Sequence, residues 1–283
     1  MSNKNYLSIY AKSFNWAGFF LPKKTYQKCS SLYDFCRTVD NIADDQDELD
    51  IKKKKFLLFK NDFINKNFDN LIIKNMWDLM TDHKISIKII EDLFAGIESD
   101  LNEKVQLNSK KDLLIYSYRV AGTVGLMMAK ILNVKDKDSM KAAIDLGIAM
   151  QLTNIARDVI EDSKNNRFYI QHDFQVIGDT LNLADLFYTS CFSSINKIPL
   201  NFRFTILVAR RVYRKIGDKI LKINNIEDYD KAGKIYVNNL GKVYQTALSL
   251  LDLIRLSLTN EKSHYMSCEH ILINKEIDLN ERI

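Results

Sequence analysis

The sequence predicts an all-α fold, and three observations support this. Apolar residues recur with helical spacing along nearly the whole chain. The 283 residues include only two prolines and nine glycines, too few breakers for a many-turned β fold. The polar links between periodic segments are short, and no internal repeat or low-complexity linker interrupts them. We therefore expect one domain over residues 1–283, a helical bundle around a central cavity.

The predicted helices follow in order along the chain. Leu32, Phe35, Val39 and Ile42 form the apolar stripe of an early helix. Residues 259–283 lose the periodic pattern and are predicted to form a loosely attached tail. Further helices are predicted over residues 51–80, 84–101, 112–133, 138–162, 183–195, 199–223 and 229–258.

Composition narrows the class of partner. The net charge of +5 is spread over many lysines, which suits an anionic small molecule better than a nucleic acid. The only dense basic run, residues 52–55, is predicted to be a solvated helix face, with a membrane-surface contact as the second interpretation. No signal peptide or spanning apolar segment is visible, so we expect a cytoplasmic protein, at most peripheral to a membrane.

The first acidic segment carries a polar stripe on one helix face. Tyr33, Arg37, Asp40 and Asp44 are spaced by four, three and four residues, which places them together on a helix. A surface helix with an Arg–Asp pair would also give this spacing. The apolar opposite face favours instead a pair of carboxylates that point into a cavity.

The second acidic segment places Gln151, Asn154, Asp158 and Asp162 along one face of another helix. A packed helix rarely carries so many polar groups without partners for them. Mg²⁺ takes oxygen ligands and completes its shell with substrate phosphates, so two such faces opposed across a bundle predict a metal–diphosphate site. A buried salt-bridge network between the two helices is the alternative.

Between the acidic segments lies a stretch rich in small residues. Ala121, Gly122 and Gly125 leave one helix face bare. Close contact between two helices explains this pattern, and so does an apolar floor along which a hydrocarbon lies. No dinucleotide fingerprint occurs in the sequence, and we expect no NADPH-dependent step.

At these residues the chain resembles the squalene/phytoene synthase family, and within it the bacterial phytoene synthases. Residues 33–44, 116–128, 147–162 and 167–169 carry the resemblance, which runs from about residue 10 to residue 213. It implies an isoprenoid-synthase fold and a magnesium-dependent prenyltransferase, with Mn²⁺ as a substitute. The implied reaction condenses two geranylgeranyl diphosphates head to head, through prephytoene diphosphate, to phytoene, in carotenoid biosynthesis.

The resemblance also implies roles for single residues. The implied catalytic residues are Asp40, Asp44, Asp158, Tyr116 and Tyr213. The implied metal ligands are Asp40, Asp44, Asn154 and Asp158, with Asp162 as a supporting acid. The implied substrate contacts are Lys12, Ser13, Tyr33, Arg37, Gln151, Arg157 and Tyr169.

Some positions depart from the family pattern. Gln171 stands where a proline is common, and Tyr10 where a histidine is common. Residues 231–244 lack the arginines that phytoene synthases often carry there, and offer Lys231, Lys234 and Lys242 instead. Two alternatives stay open: a C30 synthase of the squalene or dehydrosqualene type acting on farnesyl diphosphate, and a non-catalytic helical assembly factor.

Overall fold

The fold is known from a computed structural model, which describes residues 12–258, 264 and 267–283, with side chains from residue 15 onward. Nearly all regular structure in these residues is helical, as the sequence predicted. The amino-terminal half contains α1 (Lys12–Gly18), α2 (Lys23–Asp44), α3 (Leu49–Ile64), α4 (Leu71–His83), α5 (Ile87–Ser99), α6 (Lys110–Ser117) and α7 (Thr123–Ile131). The carboxyl-terminal half contains α8 (Lys137–Lys164), α9 (Phe174–Ser190), α10 (Leu200–Ile220), α11 (Ile226–Ala232), α12 (Asn239–Leu258), α13 (Cys268–Asn274) and α14 (Leu279–Arg282).

Local chemistry fixes where the main helices begin. Asp136 accepts a hydrogen bond from the backbone N–H of Ser139 at 2.8 Å and caps the start of α8. Pro22 and Pro199 immediately precede α2 and α10. Proline lacks a backbone N–H, and it is tolerated at the start of a helix because N–H groups there have no partner within the helix. Both prolines of the sequence therefore mark the beginnings of helices that line the interior.

The core surrounds α8, the longest described helix, which packs against α7, α9 and α10. Ile148 and Leu152 on this helix have no exposed surface. Phe35 of α2 packs against Phe63 and Phe94, with ring centroids 5.2 and 6.1 Å away. These ring contacts hold α2 against α3 and α5, and α7 packs against both α2 and α8, the two helices that carry the acidic segments.

α7 and α8 approach each other closely enough that only glycine fits at the contact. A Cβ on Gly125 would lie 2.1 Å from the carbonyl oxygen of Ala143, and a Cβ on Gly147 would lie 2.3 Å from that of Ala121. The close-contact interpretation of the small-residue stretch is therefore correct. No described helix combines the length and the apolar character that a bilayer crossing requires.

Four predicted helices differ in their bounds. The helix predicted over 183–195 is α9, which begins at Phe174, where Asp173 caps it, and ends at Ser190. The span 51–80 is two helices, because residues 65–70 form a turn that ends α3 and Asn70 caps α4. The span 229–258 divides around Gly233, whose φ of +61° ends α11. The span 112–133 contains a π-helical turn, Tyr118–Gly122, between α6 and α7. Such turns often occur at functional sites.

Two short strands connect distant parts of the chain. β1 (Val105–Gln106) follows α5, and β2 (Arg167–Phe168) follows α8. They pair in parallel, with Val105 opposite Arg167. This pairing brings the end of α8 beside the end of α5.

The end of the chain is anchored, whereas the sequence pattern predicted a loosely attached tail. Ile273, Ile277 and Leu279 are buried in the main core. Buried Asp145 of α8 accepts hydrogen bonds from the Nε2 atoms of His264, at 2.7 Å, and His270, at 2.8 Å. The anchor consists of two short helices, α13 and α14, held by contacts with distant helices such as the ion pair of Arg282 with Asp92. Helices this short give only a weak periodic signal in the sequence.

The His–Asp–His cluster of Asp145, His264 and His270 could hold a metal ion by its spacing. However, the backbone N–H of Ser267 donates to Nδ1 of His270 at 3.0 Å. The proton of that ring is therefore on Nε2, where it is donated to Asp145. A metal-bound Nε2 would require the opposite arrangement, so we interpret the cluster as a hydrogen-bonded clasp.

Candidate functional site

A cavity of about 1140 Å³ lies between α2, α5, α7, α8 and α10. Every predicted site residue whose side chain is described lines it. The side chains of Lys12 and Ser13 lie outside the described residues, as does Tyr10. The predicted residues on the cavity wall are Tyr33, Arg37, Asp40, Asp44, Tyr116, Gln151, Asn154, Arg157, Asp158, Asp162, Tyr169 and Tyr213.

The first acidic face lies at the end of α2. Arg37 is paired with Asp40 and lies 3.6 Å from Asp44. Arg167, the first residue of β2, also donates to Asp44, at 2.7 Å. Burial, followed by the neighbouring charge of Asp44, raises the pKa of Asp40 to about 6. Two carboxylates and two guanidiniums meet here, so burial of Asp40 and repulsion from Asp44 together outweigh the two arginines.

The second acidic face lies on the last turns of α8. Arg157 holds Asp158 with both arms of its guanidinium, at 2.8 and 2.6 Å. Lys234 lies 3.5 Å from Asp158 and brings a cation from the link between α11 and α12. Burial, and then the charge of Asp158, raises the pKa of Asp162 to about 7. Both acidic faces thus contain a carboxyl group that resists ionisation.

Asp100, just after α5, links the two acidic faces. It accepts hydrogen bonds from the hydroxyls of Tyr116, at 2.8 Å, and Tyr169, at 2.7 Å. The two tyrosine rings stack with centroids 4.6 Å apart. Burial and other nearby charges contribute most to the raised pKa values of Asp40 and Asp162. The charge of Asp100 makes a smaller contribution to both. The two faces therefore belong to one electrostatic site.

Sequence reasoning did not assign Asp100 or Arg167 to the site, and it named Lys234 only as one of three lysines that stand where arginines are common. Arg167 belongs to the stretch that carries the family resemblance, and this was the available signal. Asp100 stands alone after a helix, with no acidic partner at helical spacing. Only the β1–β2 pairing and the packing of α5 bring Asp100 to the cavity.

The rest of the cavity is largely apolar. Val120, Val124 and Met128 line it from the π-helical turn and α7. Leu146 and Ile206 line it from α8 and α10. The hydrocarbon-floor interpretation of the small-residue stretch is thus compatible with its close packing, because its other face lines the cavity. A polar, acidic mouth leads into an apolar interior.

The donor set suits a divalent cation with a preference for oxygen. Asp40, Asp44, Asn154, Asp158 and Asp162 offer only carboxylate and amide oxygens. Burial, and then repulsion from the neighbouring carboxylates, raises the pKa of both Asp40 and Asp162. Bound cations would remove that repulsion, and the adjacent arginines match phosphate oxygens.

Comparison with known protein families gives a direct assignment. The sequence model of the family "Squalene/phytoene synthase" matches residues 8–174, more than half of the chain. The chain belongs to the squalene/phytoene synthase family. Membership confirms the resemblance found in the sequence, the predicted fold class and the prediction of a prenyltransferase. Enzymes of this family usually use divalent metals and act on prenyl diphosphates.

Individual relatives agree. The chain is 29% identical over 258 residues to a 15-cis-phytoene synthase of Enterobacter agglomerans, covering 76% of this chain and 84% of that protein. It is 37% identical over 149 residues to a 15-cis-phytoene synthase of a Paracoccus strain, covering 46% of this chain and 49% of the other. A crystal structure of a dehydrosqualene synthase in complex with ligand superposes with a TM-score of 0.74 at 25% identity, covering 88% and 94%.

Proposed function

We propose that this protein is a phytoene synthase, which joins two geranylgeranyl diphosphates head to head and forms phytoene through prephytoene diphosphate. One observation carries the proposal. The two acidic faces open onto a single cavity whose interior is apolar. The names of the curated relatives support the same reaction.

The acidic mouth would hold the diphosphates. Asp40, Asp44, Asn154, Asp158 and Asp162 would bind Mg²⁺, or Mn²⁺ in its place. When bound, the cations supply Lewis acidity that stabilises the negative charge of the departing diphosphate. Arg37 and Arg157 would exchange their present carboxylate partners for diphosphate oxygens. The loss of like-charge repulsion among the carboxylates favours that exchange.

The reaction requires charge to separate twice. The C–O bond of one donor breaks, and its electron pair leaves with diphosphate. The allylic cation adds to the double bond of the second donor, and loss of a proton gives the cyclopropyl intermediate. A second C–O cleavage, rearrangement and proton loss give phytoene without a reductant, consistent with the expectation of no NADPH.

The apolar wall would protect these cations from water. Tyr33, Tyr116 and Tyr213 reach the cavity from α2, α6 and α10. Burial raises the pKa of each of these hydroxyls, so all three tyrosines are neutral at physiological pH. Their electron-rich ring faces would attract a carbocation at short range.

The length of the cavity favours the C20 donor. Its lining along α8 extends from Ser139 to beyond Asn154. The fifteen residue steps from Ser139 to Asn154 correspond to about 22 Å of helix. An extended C20 prenyl chain, with C–C bonds of about 1.5 Å, spans roughly 20 Å. A C15 chain would leave the far end of the cavity empty. The dehydrosqualene synthase among the similar structures keeps the C30 reaction as the second candidate.

The test is product analysis from defined donors. Purified protein with Mg²⁺ and geranylgeranyl diphosphate should release diphosphate and give a C40 hydrocarbon by mass spectrometry. In a competition with farnesyl diphosphate, the C40 product should exceed the C30 product. A dominant C30 product would instead support the second candidate. No product from folded protein with either donor would contradict both, and would favour the non-catalytic alternative.

A further inference from the structure

α12 presents an apolar face to solvent. Its exposed apolar side chains recur every three or four residues, so they form one continuous stripe along the helix. The eighteen residue steps from Leu240 to Leu258 correspond to about 27 Å of helix. The exposed fractions are Leu240 81%, Val243 53%, Tyr244 62%, Leu250 53%, Leu251 59%, Ile254 56% and Leu258 79%.

The inward face of the same helix is mostly polar. Lys242, Gln245, Ser249 and Asp252 are all buried there. Asp252 accepts hydrogen bonds from two guanidinium nitrogens of Arg211 on α10. A rotation of α12 that buried its leucines would expose these polar groups and break this ion pair. The outward direction of the apolar stripe is therefore fixed by the packing of the helix.

The exposed charged residues of α12 and of the first turn of α2 are basic. Within this fully described helix, no carboxylate is exposed, whereas Arg255 is. α1 lies alongside, because Trp16 donates to Thr246 at 2.9 Å. Phe19, 72% exposed, follows in the turn after α1, and the exposed Lys23 and Lys24 begin the next helix. An apolar face with basic neighbours matches a surface that is apolar in depth and anionic at its boundary.

We propose that the outward face of α12 docks on an anionic lipid bilayer, with its leucines at the boundary between headgroups and acyl chains. A second copy of the chain fits less well. In a two-fold dimer through this stripe, the same residues would face each other, and Arg255 would meet no carboxylate from the partner's α12. Anionic headgroups supply the missing negative charge.

The position of α12 adds a reason that rests on the proposed function. α12 packs on the outer side of α10, while Thr205, Ile206 and Ala209 of α10 line the cavity on its inner side. Asn239 and Lys242, in the first turns of α12, also line the cavity. A bilayer beneath this face would therefore lie next to a part of the cavity wall, from which a water-insoluble hydrocarbon could pass into it. The docking itself depends only on the surface described above.

Vesicle co-sedimentation tests the docking without any substrate. The probes are vesicles of phosphatidylcholine alone and vesicles that also contain phosphatidylglycerol. The unmodified protein should sediment with the anionic vesicles, and sodium chloride should weaken its binding. The double variant L251E/I254E should reduce the partition coefficient at least tenfold. Neither residue lines the cavity, so its product yield in detergent should match that of the unmodified chain.

A matched control separates insertion from net charge. Leu57 and Leu58 on α3 are 56% and 63% exposed, much like Leu251 and Ile254, but follow the lysine run 52–55. L57E/L58E adds the same two negative charges and should bind within about twofold of the unmodified protein. Equal losses in both double variants would overturn the proposal, as would failure of the unmodified protein to bind.

Self-association provides the last discriminating result. Sedimentation equilibrium without lipid should show that L251E/I254E and the unmodified protein have the same oligomeric state. A dimer that only L251E/I254E dissolves would assign the face to a second copy and overturn the lipid proposal. Because binding is measured without turnover, inactivity towards geranylgeranyl diphosphate would refute the proposed function and leave this result unaffected.

Discussion

At the scale of single residues, the site is defined by carboxylates that crowd one another. Asp40 and Asp162 have raised pKa values, and Asp100 contributes to both shifts. Such crowding opposes folding and persists where a ligand benefits from it. Sequence spacing predicted which acids share each helix face. It gave no indication that Asp100 would join them, because that contact depends on the packing of α5 against the rest of the bundle.

The first prediction concerns the stability of the metal-free protein. Asp40 has a folded-state pKa of about 6, above its unfolded value of about 3.9. The folded state therefore binds more protons between these values, and its stability falls as pH rises through this window. Asp40→Asn should flatten this fall and raise the Tm of the metal-free protein at pH 7. Thermal unfolding from pH 4 to pH 8 checks it.

Magnesium provides the complementary measurement. Mg²⁺ with inorganic diphosphate should raise the Tm of the unmodified protein, because a ligand that binds only the folded state stabilises it. The increase should be strongly reduced in Asp40→Asn, which should also lose turnover. An unchanged Mg²⁺-dependent increase in that variant would contradict the assignment of Asp40 as a metal ligand.

At the scale of secondary-structure elements, the close contact between α7 and α8 fixes the relative position of two helices that line the cavity. Gly125→Ala should destabilise the protein by about 2 kcal/mol, because the new methyl group would meet a backbone carbonyl that cannot move aside. Gly178→Ala is the matched control. Its Cβ would meet nothing closer than 4.0 Å within α9, so it should stabilise by about 0.5–1 kcal/mol. Urea unfolding of both variants compares them, and equal effects would contradict the close-contact interpretation.

The cavity wall on α8 also predicts a change in product length. Ala142 lines the cavity twelve residues before Asn154, about 18 Å along the helix. Ala142→Phe should block the space that the end of a C20 chain needs, but not that of a C15 chain. The ratio of C30 to C40 products from mixed donors should therefore rise by about tenfold. Retained turnover of farnesyl diphosphate serves as the folding control, and an unchanged ratio would place the chain end elsewhere.

At the scale of the whole molecule, the hydrogen-bonded clasp at Asp145 attaches His264 and His270 to α8. Burial raises the pKa of this carboxyl, but hydrogen bonds from His264 and His270 outweigh it and hold the pKa below its usual value. The stabilisation is therefore present above about pH 4 and lost as the pH falls further. Ser190 of α9 donates to the same carboxylate. The clasp thus joins α8, α9 and the end of the chain.

Breaking the clasp should affect the whole molecule. Asp145→Asn should lower the free energy of unfolding by about 3 kcal/mol, because it leaves buried donors without their charged acceptor. Asp218→Asn, which removes an exposed pair with Lys215, should change it by less than about 0.5 kcal/mol. Urea titrations at pH 7 measure both. Similar small effects in the two variants would show that the chain end contributes little to stability.

Much of the fold and of the site was predictable from the sequence, but two features of the fold were not. Periodicity located the helices, but not the π-helical turn at Tyr118–Gly122, because its hydrogen-bond pattern differs from that of an α-helix without changing residue composition. It likewise missed the docking of residues 267–283, which depends on contacts with distant helices, such as His270 with Asp145 and Arg282 with Asp92.

The sequence alone determined the all-α class, the acids at helical spacing and the family. Each of these depends on patterns among residues that are close together in the sequence. The tertiary structure alone decided that Asp100 and Lys234 enter the cavity, and that the polar face of α12 is turned inward and its leucines outward. A helical pattern shows that a helix has two faces. Which face is buried depends on the surfaces that pack against it, here including Arg211 of α10, and these come from distant parts of the chain.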